Sequence, residues 1–269
     1  MTLSLTGKTA IVTGAAHGVG AAIARHFVDR GARVMFADID EAALERELGA
    51  KAHAEGPLRW FAGDLRQRLT VSNLISATVD AFDRIDILVN ATRGLVPSDP
   101  LDPEADNVEA LWQQNAMTSL RLSQHVARRM IAQSEDTEDN RAPAGSILTI
   151  SSTAARLTHP DLLAYSMASA AVEQMTRSLA VALAPQRIRV NCLALGSVMG
   201  SGLQAVLKDH PEWREEIRRL TPMNRIAAAS EVCEAAQFLA ADGSAFVTGQ
   251  ILTIDGGRSL IDPVGLPAH

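Results

Sequence analysis

Two apolar patterns alternate along the chain. Short, nearly unbroken apolar runs occupy residues 9–12, 33–37, 58–62, 85–89, 146–150, 188–193 and 250–254. Each has the length of a strand and lacks the in–out alternation of a sheet with one wet face, so each predicts a strand covered on both faces. Longer segments with helical spacing separate them: from a glycine-rich turn to about Arg30, then 40–48, 70–82, 106–133 and 162–183. Two or three helical pieces follow the sixth run, the last at 229–240. Strands separated by helices build a parallel sheet between helical layers, and right-handed crossovers wind it in both directions. The expectation is an α/β fold: one Rossmann-type, doubly wound parallel sheet of about seven strands with helices on both faces, spanning 1–269 as a single domain. No composition shift or internal repeat divides the chain. Residues 134–145 are acidic, contain Pro143 and predict a solvated loop. Residues 196–221 follow the sixth strand, show no strand of their own and predict a lid beyond the carboxyl ends of the strands.

Composition narrows the function classes. With 47% hydrophobic and 21% charged residues the chain is no disordered segment. No run approaches the ~18 apolar residues of a membrane helix, and residues 1–7 lack the basic and apolar parts of a secretory leader. A net charge of −6 argues against a general nucleic-acid binder. Cys192 and Cys233 are far apart, without CxxC spacing, and predict small buried hydrophobes rather than a metal site or a disulfide. A reduced, cytoplasmic setting is the expectation. Lys8, Lys51 and Lys208 are the only lysines.

The first strand runs into Thr13-Gly14-Ala15-Ala16-His17-Gly18-Val19-Gly20 and then a helix. Glycines allow a tight turn and close backbone approach, and a helix N-terminus offers N–H groups to a pyrophosphate. The spacing is G-x3-G-x-G rather than the common dinucleotide fingerprint, and such a turn could also be a purely structural link. Eighteen residues past Gly20 the second strand ends at Asp38. A carboxylate there is placed to bond the ribose 2′-hydroxyl of NAD and to repel the 2′-phosphate of NADP. Asp40 is better placed to cap the next helix, which leaves Asp38 free.

These residues, with others, resemble the short-chain dehydrogenase/reductase family over essentially the whole length. Thr13 to Gly20 matches its TGxxxGxG motif, Asp64-Leu65 its adenine-contacting pair, and Ile87-Leu88-Val89-Asn90 the start of its ILVNNAG segment. Asn115 lies where the family has a helix asparagine that holds a relay water. Ser152 ends the fifth strand, and Tyr165 follows it by thirteen residues, the family spacing. Arg189-Val190-Asn191-Cys192 and Asp255-Gly256-Gly257 match two structural signatures. The resemblance implies hydride transfer between a nicotinamide and a carbonyl or secondary alcohol. Asn115, Ser152 and Tyr165 would be catalytic, with Tyr165 giving or taking the proton and Ser152 orienting the substrate oxygen. Gly14, His17, Gly18, Val19, Gly20, Asp38, Ile39, Asp64, Leu65, Asn90, Ala91, Tyr165, Gly196 and Val198 would bind the cofactor. It also implies a homotetramer or homodimer, through 106–133 and 162–183 at one interface and the last strand and helix at another. NAD is expected over NADP because Ile39 puts no cation beside Asp38, although NADP-preferring relatives often carry a basic residue at the place of His17. A small-molecule partner is implied; metal, nucleic acid and membrane are not.

Three departures cluster at the nicotinamide end. The family's Tyr-x-x-x-Lys reads Tyr165-Ser166-Met167-Ala168-Ser169, so Ser169 stands where a lysine usually holds the ribose and lowers the tyrosine pKa. NNAG becomes Asn90-Ala91-Thr92-Arg93, and PGxIxT becomes Leu195-Gly196-Ser197-Val198-Met199-Gly200. Free tyrosine has a pKa of about 10, so without that lysine alcohol oxidation is expected to suffer more than reduction. A guanidinium of Arg93 within about 6 Å of the phenol would do part of the lysine's electrostatic work. The rival expectation is a nucleotide-binding pseudoenzyme with a sensing or scaffolding role. Arg93 and Arg156 read equally as solvated cations or anion contacts, and His159 as an exposed loop residue. The lid's Leu203, Val206, Leu207, Trp213 and Ile217 suit either an apolar substrate or ordinary packing.

Overall fold

The computed structural model describes residues 3–49, 52, 56–135 and 143–262. Seven parallel strands form one sheet: β1 (Thr9–Thr13), β2 (Arg33–Asp38), β3 (Leu58–Ala62), β4 (Ile87–Asn90), β5 (Gly145–Ser152), β6 (Ile188–Leu195) and, last in the chain, β9 (Ile251–Ile254). Their spatial order is β3-β2-β1-β4-β5-β6-β9, so the winding reverses at β1, between β2 and β4. The helices are α1 (Gly18–Asp29), α2 (Glu41–Leu48), α3 (Arg68–Phe82), α4 (Val108–Leu111), α5 (Thr118–Glu135), α6 (Leu163–Leu183), α7 (Ser201–Asp209), α8 (Glu212–Arg219) and α9 (Ala229–Ala240).

Period-two alternation along each strand makes two cores. Ala10, Val12, Val34 and Phe36 face one layer with Ile23 and Phe27 of α1, Leu44 of α2 and Val232 and Leu239 of α9. Ile11, Met35, Leu88 and Ile147 face the other, with Leu74 of α3 and Leu122, Val126 and Met130 of α5. Both cysteines are buried and unpaired. Buried Arg189, on β6, gives its guanidinium to the carbonyls of Leu239, Ala240 and Ala241 and to Ser244 Oγ, at 2.8–3.3 Å. It thereby fastens the end of α9 to the sheet, a cation at a helix C-terminus.

Several boundaries differ from the sequence pattern for local reasons. The fourth strand starts at Ile87 rather than 85, because the Asp86 carboxylate takes the Thr9 N–H at 2.8 Å and the Arg84 guanidinium at 2.7 Å. The helical stretch at 106–133 is not one α-helix: a π turn, Trp112–Met117, separates α4 from α5. Residues 196–221 do contain a strand. Val198–Met199 (β7) pairs in parallel with Ala227–Ala228 (β8), which joins the two ends of the segment expected to be a lid, with α7 and α8 between them. Of the acidic stretch 134–145, residues 136–142 lie outside the described residues, while Ser134 and Glu135 finish α5 and Gly145 begins β5. Among the described residues no helix is long and apolar enough to cross a membrane.

Candidate active site

The carboxyl ends of β1, β4, β5 and β6 lie side by side and deliver Gly14, Asn90, Ser152 and Gly196 to one edge of the sheet. At the β1 end, Gly14 and Gly18 have φ of +63° and +54°, which L side chains rarely adopt. A Cβ on Gly20 would land on the Gly14 carbonyl, and one on Gly14 would come within 2.8 Å of the Ala91 oxygen. Glycine is therefore required at positions 14 and 20 and favoured at 18. His17 stands at the N-cap of α1 but does not cap it; its Nε2 lies 2.8 Å from Asp40 Oδ2, and among the described residues no side chain bonds the first N–H groups of α1. That leaves a glycine cradle with unclaimed backbone donors, which fits a pyrophosphate. Val19, on the first turn, packs on the core behind it.

Asp40 caps α2 through the Ala43 N–H at 3.0 Å, as expected, and the His17 hydrogen bond holds its carboxyl below the usual range. Asp38 is not free, contrary to the sequence reading. Its Oδ2 accepts the Ala16 N–H at 3.0 Å and its Oδ1 the Asp40 N–H at 3.1 Å. A carboxylate has about four acceptor positions, so two remain for hydroxyls, and the backbone bonds fix the group's orientation. Ile39 beside it is exposed. Asp64, past the end of β3, is gripped by Arg66 Nε and Nη2, both at 2.9 Å, which lowers its pKa; Leu65 is buried.

At the β4 end, buried Asn90 donates to Ser123 Oγ at 3.0 Å. Thr13 Oγ1 accepts the Ala91 and Thr92 N–H groups at 3.1 and 3.2 Å, a brace between the β1 and β4 ends that the motif match left without a role. The Asn115 amide clamps Gly94 at both ends: Oδ1 takes its N–H at 2.8 Å and Nδ2 donates to its carbonyl at 2.9 Å. Asn115 sits in the π turn, and its own carbonyl accepts Ser119 Oγ at 2.8 Å. Its amide is thus structural.

Ser152 Oγ accepts the Ala154 N–H at 3.2 Å, capping a 3-10 turn, and donates at 3.4 Å to the Leu195 carbonyl. The second bond is long and easily exchanged for a substrate oxygen. Tyr165, the only tyrosine in the chain, lies in the first turn of α6 and is buried with Leu111 and Ala164. Helix α6 packs against both the π turn of Asn115 and the 3-10 turn that Ser152 caps, so the elements that carry the three expected residues adjoin one another. The guanidinium carbon of Arg93 lies 5.5 Å from the centroid of the Tyr165 ring, and its Nη1 donates to the Ser151 carbonyl at 2.9 Å. Arg156 is engaged elsewhere, at 3.1 Å from buried Glu173. His159 is exposed and caps a short turn through the Asp161 N–H; His210 stacks on Trp213 at 4.2 Å.

The β6 end carries the base of the lid. A Cβ on Gly196 would strike Asp255, and one on Gly200 would lie 3.6 Å from the Gly18 Cα, so the lid begins in contact with the glycine turn. Val198 lies in β7, and Ser197 Oγ accepts a long bond, 3.4 Å, from Arg258. Of the three lysines, Lys8 pairs with Asp242 at 3.4 Å, Lys208 ends α7, and Lys51 lies outside the described residues. Among the described residues no group of His, Cys, Asp or Glu is arranged to hold a metal ion.

Known proteins match this chain along nearly all its length. The family model described as enoyl-(acyl carrier protein) reductase matches residues 14–259. The short-chain dehydrogenase anuF of Penicillium roqueforti is 34% identical, covering 97% of this chain and 98% of its own. A solved structure of 7 alpha-hydroxysteroid dehydrogenase, complexed with NADH and 7-oxo glycochenodeoxycholic acid, superposes with a TM-score of 0.85 at 31% identity, covering 95% and 96% of the two chains. A gluconate 5-dehydrogenase from Burkholderia cenocepacia, in complex with NADP and tartrate, gives a TM-score of 0.84 at 28% identity over 97% and 98%. With the motif matches and the fold, these similarities place the chain in the short-chain dehydrogenase/reductase family, as an oxidoreductase.

Proposed function

We propose that the protein is an NAD(H)-dependent oxidoreductase that interconverts a carbonyl and a secondary alcohol on a small molecule. The observation that carries this is the packing of the elements bearing Ser152, Tyr165 and Asn115 against one another near the carboxyl edge of the sheet, where a glycine turn meets the uncapped N-terminus of α1. The relatives' names point the same way and give the scaffold-only alternative no support. A nicotinamide nucleotide, when bound, supplies or accepts the hydride. The protein's residues do the rest. Gly14, Gly18, Val19 and Gly20 bind through the backbone of the turn. Asp64 and Leu65 flank the adenine end, while Asn90, Ala91, Gly196 and Val198 line the nicotinamide end. Ser152 donates to the substrate oxygen and fixes its direction, and Tyr165 gives that oxygen a proton in reduction or removes it in oxidation. The Asn115 carbonyl positions a water that exchanges the proton with solvent.

The preference for NAD over NADP rests on Asp38 and on how nearby cations are spent. His17, the one basic residue in the turn, is bound to Asp40, and Arg66 is held by Asp64. A 2′-phosphate would meet the Asp38 carboxylate, with His17 and Arg66 already engaged. NADH and NADPH fluorescence titrations, followed by a screen of ketones and secondary alcohols, test the reading. NADH binding with turnover supports it; tighter NADPH binding overturns the cofactor preference.

The same reading includes a homotetramer. Helix α6 leaves Met167 and Val181 exposed, and Phe238, Phe246 and Leu252 are exposed around the last helix and strand. Apolar side chains on those elements favour burial against further copies. A sedimentation mass of one chain overturns the assembly.

A further inference from the structure

Where the family resemblance expects a lysine, this site has a buried, neutral serine, and a cation arrives from another element. Ser169 lies one helical turn after Tyr165 on α6. Arg93 comes from the loop after β4 and places its guanidinium over the Tyr165 ring at 5.5 Å. Its Nη1 is pinned by the Ser151 carbonyl at 2.9 Å, and Ser151 Oγ donates in turn to the Ser169 carbonyl at 3.2 Å. The guanidinium is therefore tied to the end of β5, which is itself tied to the stretch of α6 that bears Tyr165 and Ser169. The loop delivering it is rigid, because Thr13 holds the N–H groups of residues 91 and 92 and the Asn115 amide holds both backbone groups of Gly94. Arg156, the other cation on this side, is committed to Glu173.

We propose that Arg93 is the positioning cation of this active site, replacing from β4 the charge that position 169 lacks. The inference rests on the nicotinamide reading above and adds a residue to it. In reduction the phenol O–H of Tyr165 breaks, its electron pair stays on the phenolate oxygen, and the proton forms the new O–H of the alcohol. The fixed guanidinium balances that negative charge, and water returns the proton. Arg93 keeps its own protons throughout, since a guanidinium is not deprotonated in proteins, so it is not a relay. One of its five N–H donors is used on Ser151; the others suit the ribose hydroxyls of the nucleotide.

The test moves the charge. NADH fluorescence titration and steady-state kinetics are run on the full chain as wild type, Arg93→Gly, Arg93→Lys, Ser169→Lys and Arg93→Gly/Ser169→Lys. Arg93→Gly is expected to weaken NADH binding about 10- to 100-fold, the range for a charged hydrogen bond, and to lower kcat. Arg93→Lys is expected to retain most of the affinity. The double variant is expected to regain what Arg93→Gly lost, whereas Ser169→Lys alone gains little, because the site already holds a cation. Arg93 is exposed, so its single variants leave the core intact if buried position 169 does not accept lysine. Wild-type NADH affinity in Arg93→Gly overturns the proposal. So does an equal gain from Ser169→Lys in both backgrounds. A rise confined to KM for acidic substrates, with NADH binding intact, also overturns it and assigns Arg93 to the substrate. If wild type itself fails to bind NADH, the nicotinamide reading falls and this proposal falls with it.

Discussion

The end of the site proposed for the adenosine and the end proposed for the nicotinamide are built in different ways. At the adenosine end, shape comes from the backbone: positive-φ glycines close the turn, and Asp38 and Asp40 are oriented by main-chain N–H groups two to twenty-two residues away. At the nicotinamide end, position is set by side chains from separate elements: Arg93 from the loop after β4, Asn115 from the π turn, Ser152 from β5 and Tyr165 from α6. A backbone-built half tolerates few changes, because a Cβ in the wrong place collides with a carbonyl. A side-chain-built half can exchange one residue for another on a different element and keep the charge. The missing lysine and the unexpected arginine are that kind of exchange. The Thr13 brace and the Gly200–Gly18 approach join the two halves.

The largest expected effect falls on the side-chain half alone. Tyr165→Phe removes the proton donor and is expected to reduce kcat about 10²- to 10⁴-fold while leaving NADH affinity unchanged; a matching loss in affinity would mean the halves are not separable. Next, Gly20→Ala forces a methyl group onto the Gly14 carbonyl. It is expected to cost about 3 kcal/mol of stability and to abolish NADH binding, read by urea denaturation and fluorescence. Asp38→Ala is milder: a discrimination between NADH and NADPH of about tenfold should disappear, since a hydrogen bond to a charged group is worth about 1.5–3 kcal/mol. An unchanged ratio of the two affinities would remove Asp38 from cofactor choice.

The smallest effect lies outside both halves and serves as their control. Burial pushes the Cys192 thiol up to about 12 and the Cys233 thiol up to about 11. In the unfolded chain a thiol ionises near about 8.5, so the folded state is the one that keeps its proton above that pH. The resulting contribution to stability is complete below about pH 8.5 and is lost as pH rises through the folded values. Neither thiol should react with a maleimide at neutral pH until the chain unfolds, in wild type and in every variant above that folds.

Much of this was legible in the sequence, for definable reasons. Buried parallel strands leave unbroken apolar runs, so the seven-stranded sheet and its order of helices followed from the pattern. The glycine turn was legible because its φ angles favour glycine and its close approaches at Gly14 and Gly20 leave no room for a Cβ. Two-residue strands such as β7 and β8 have no period and left no trace. A π turn uses the same residues as an α-helix, so Trp112–Met117 was hidden inside an apparently continuous helix. The partners of Asp38 are backbone groups, which composition cannot reveal. Arg93 was visible as an oddity, but its contact with Tyr165 joins residues 72 positions apart and needed the fold.

That hidden turn can also be understood as angular bookkeeping. Each residue of an α-helix advances the side chain by about 100°, so one residue of slack changes which way everything downstream faces. Before the slack, Leu111 looks toward Tyr165; after it, Leu122, Val126 and Met130 look toward the sheet. Without it, one rigid rod would have to serve both neighbours with a single stripe. The length of this stretch therefore matters to both neighbours. A single-residue deletion between 112 and 117 would either straighten the turn and swing Asn115 off Gly94, or rotate the whole of α5 out of its core.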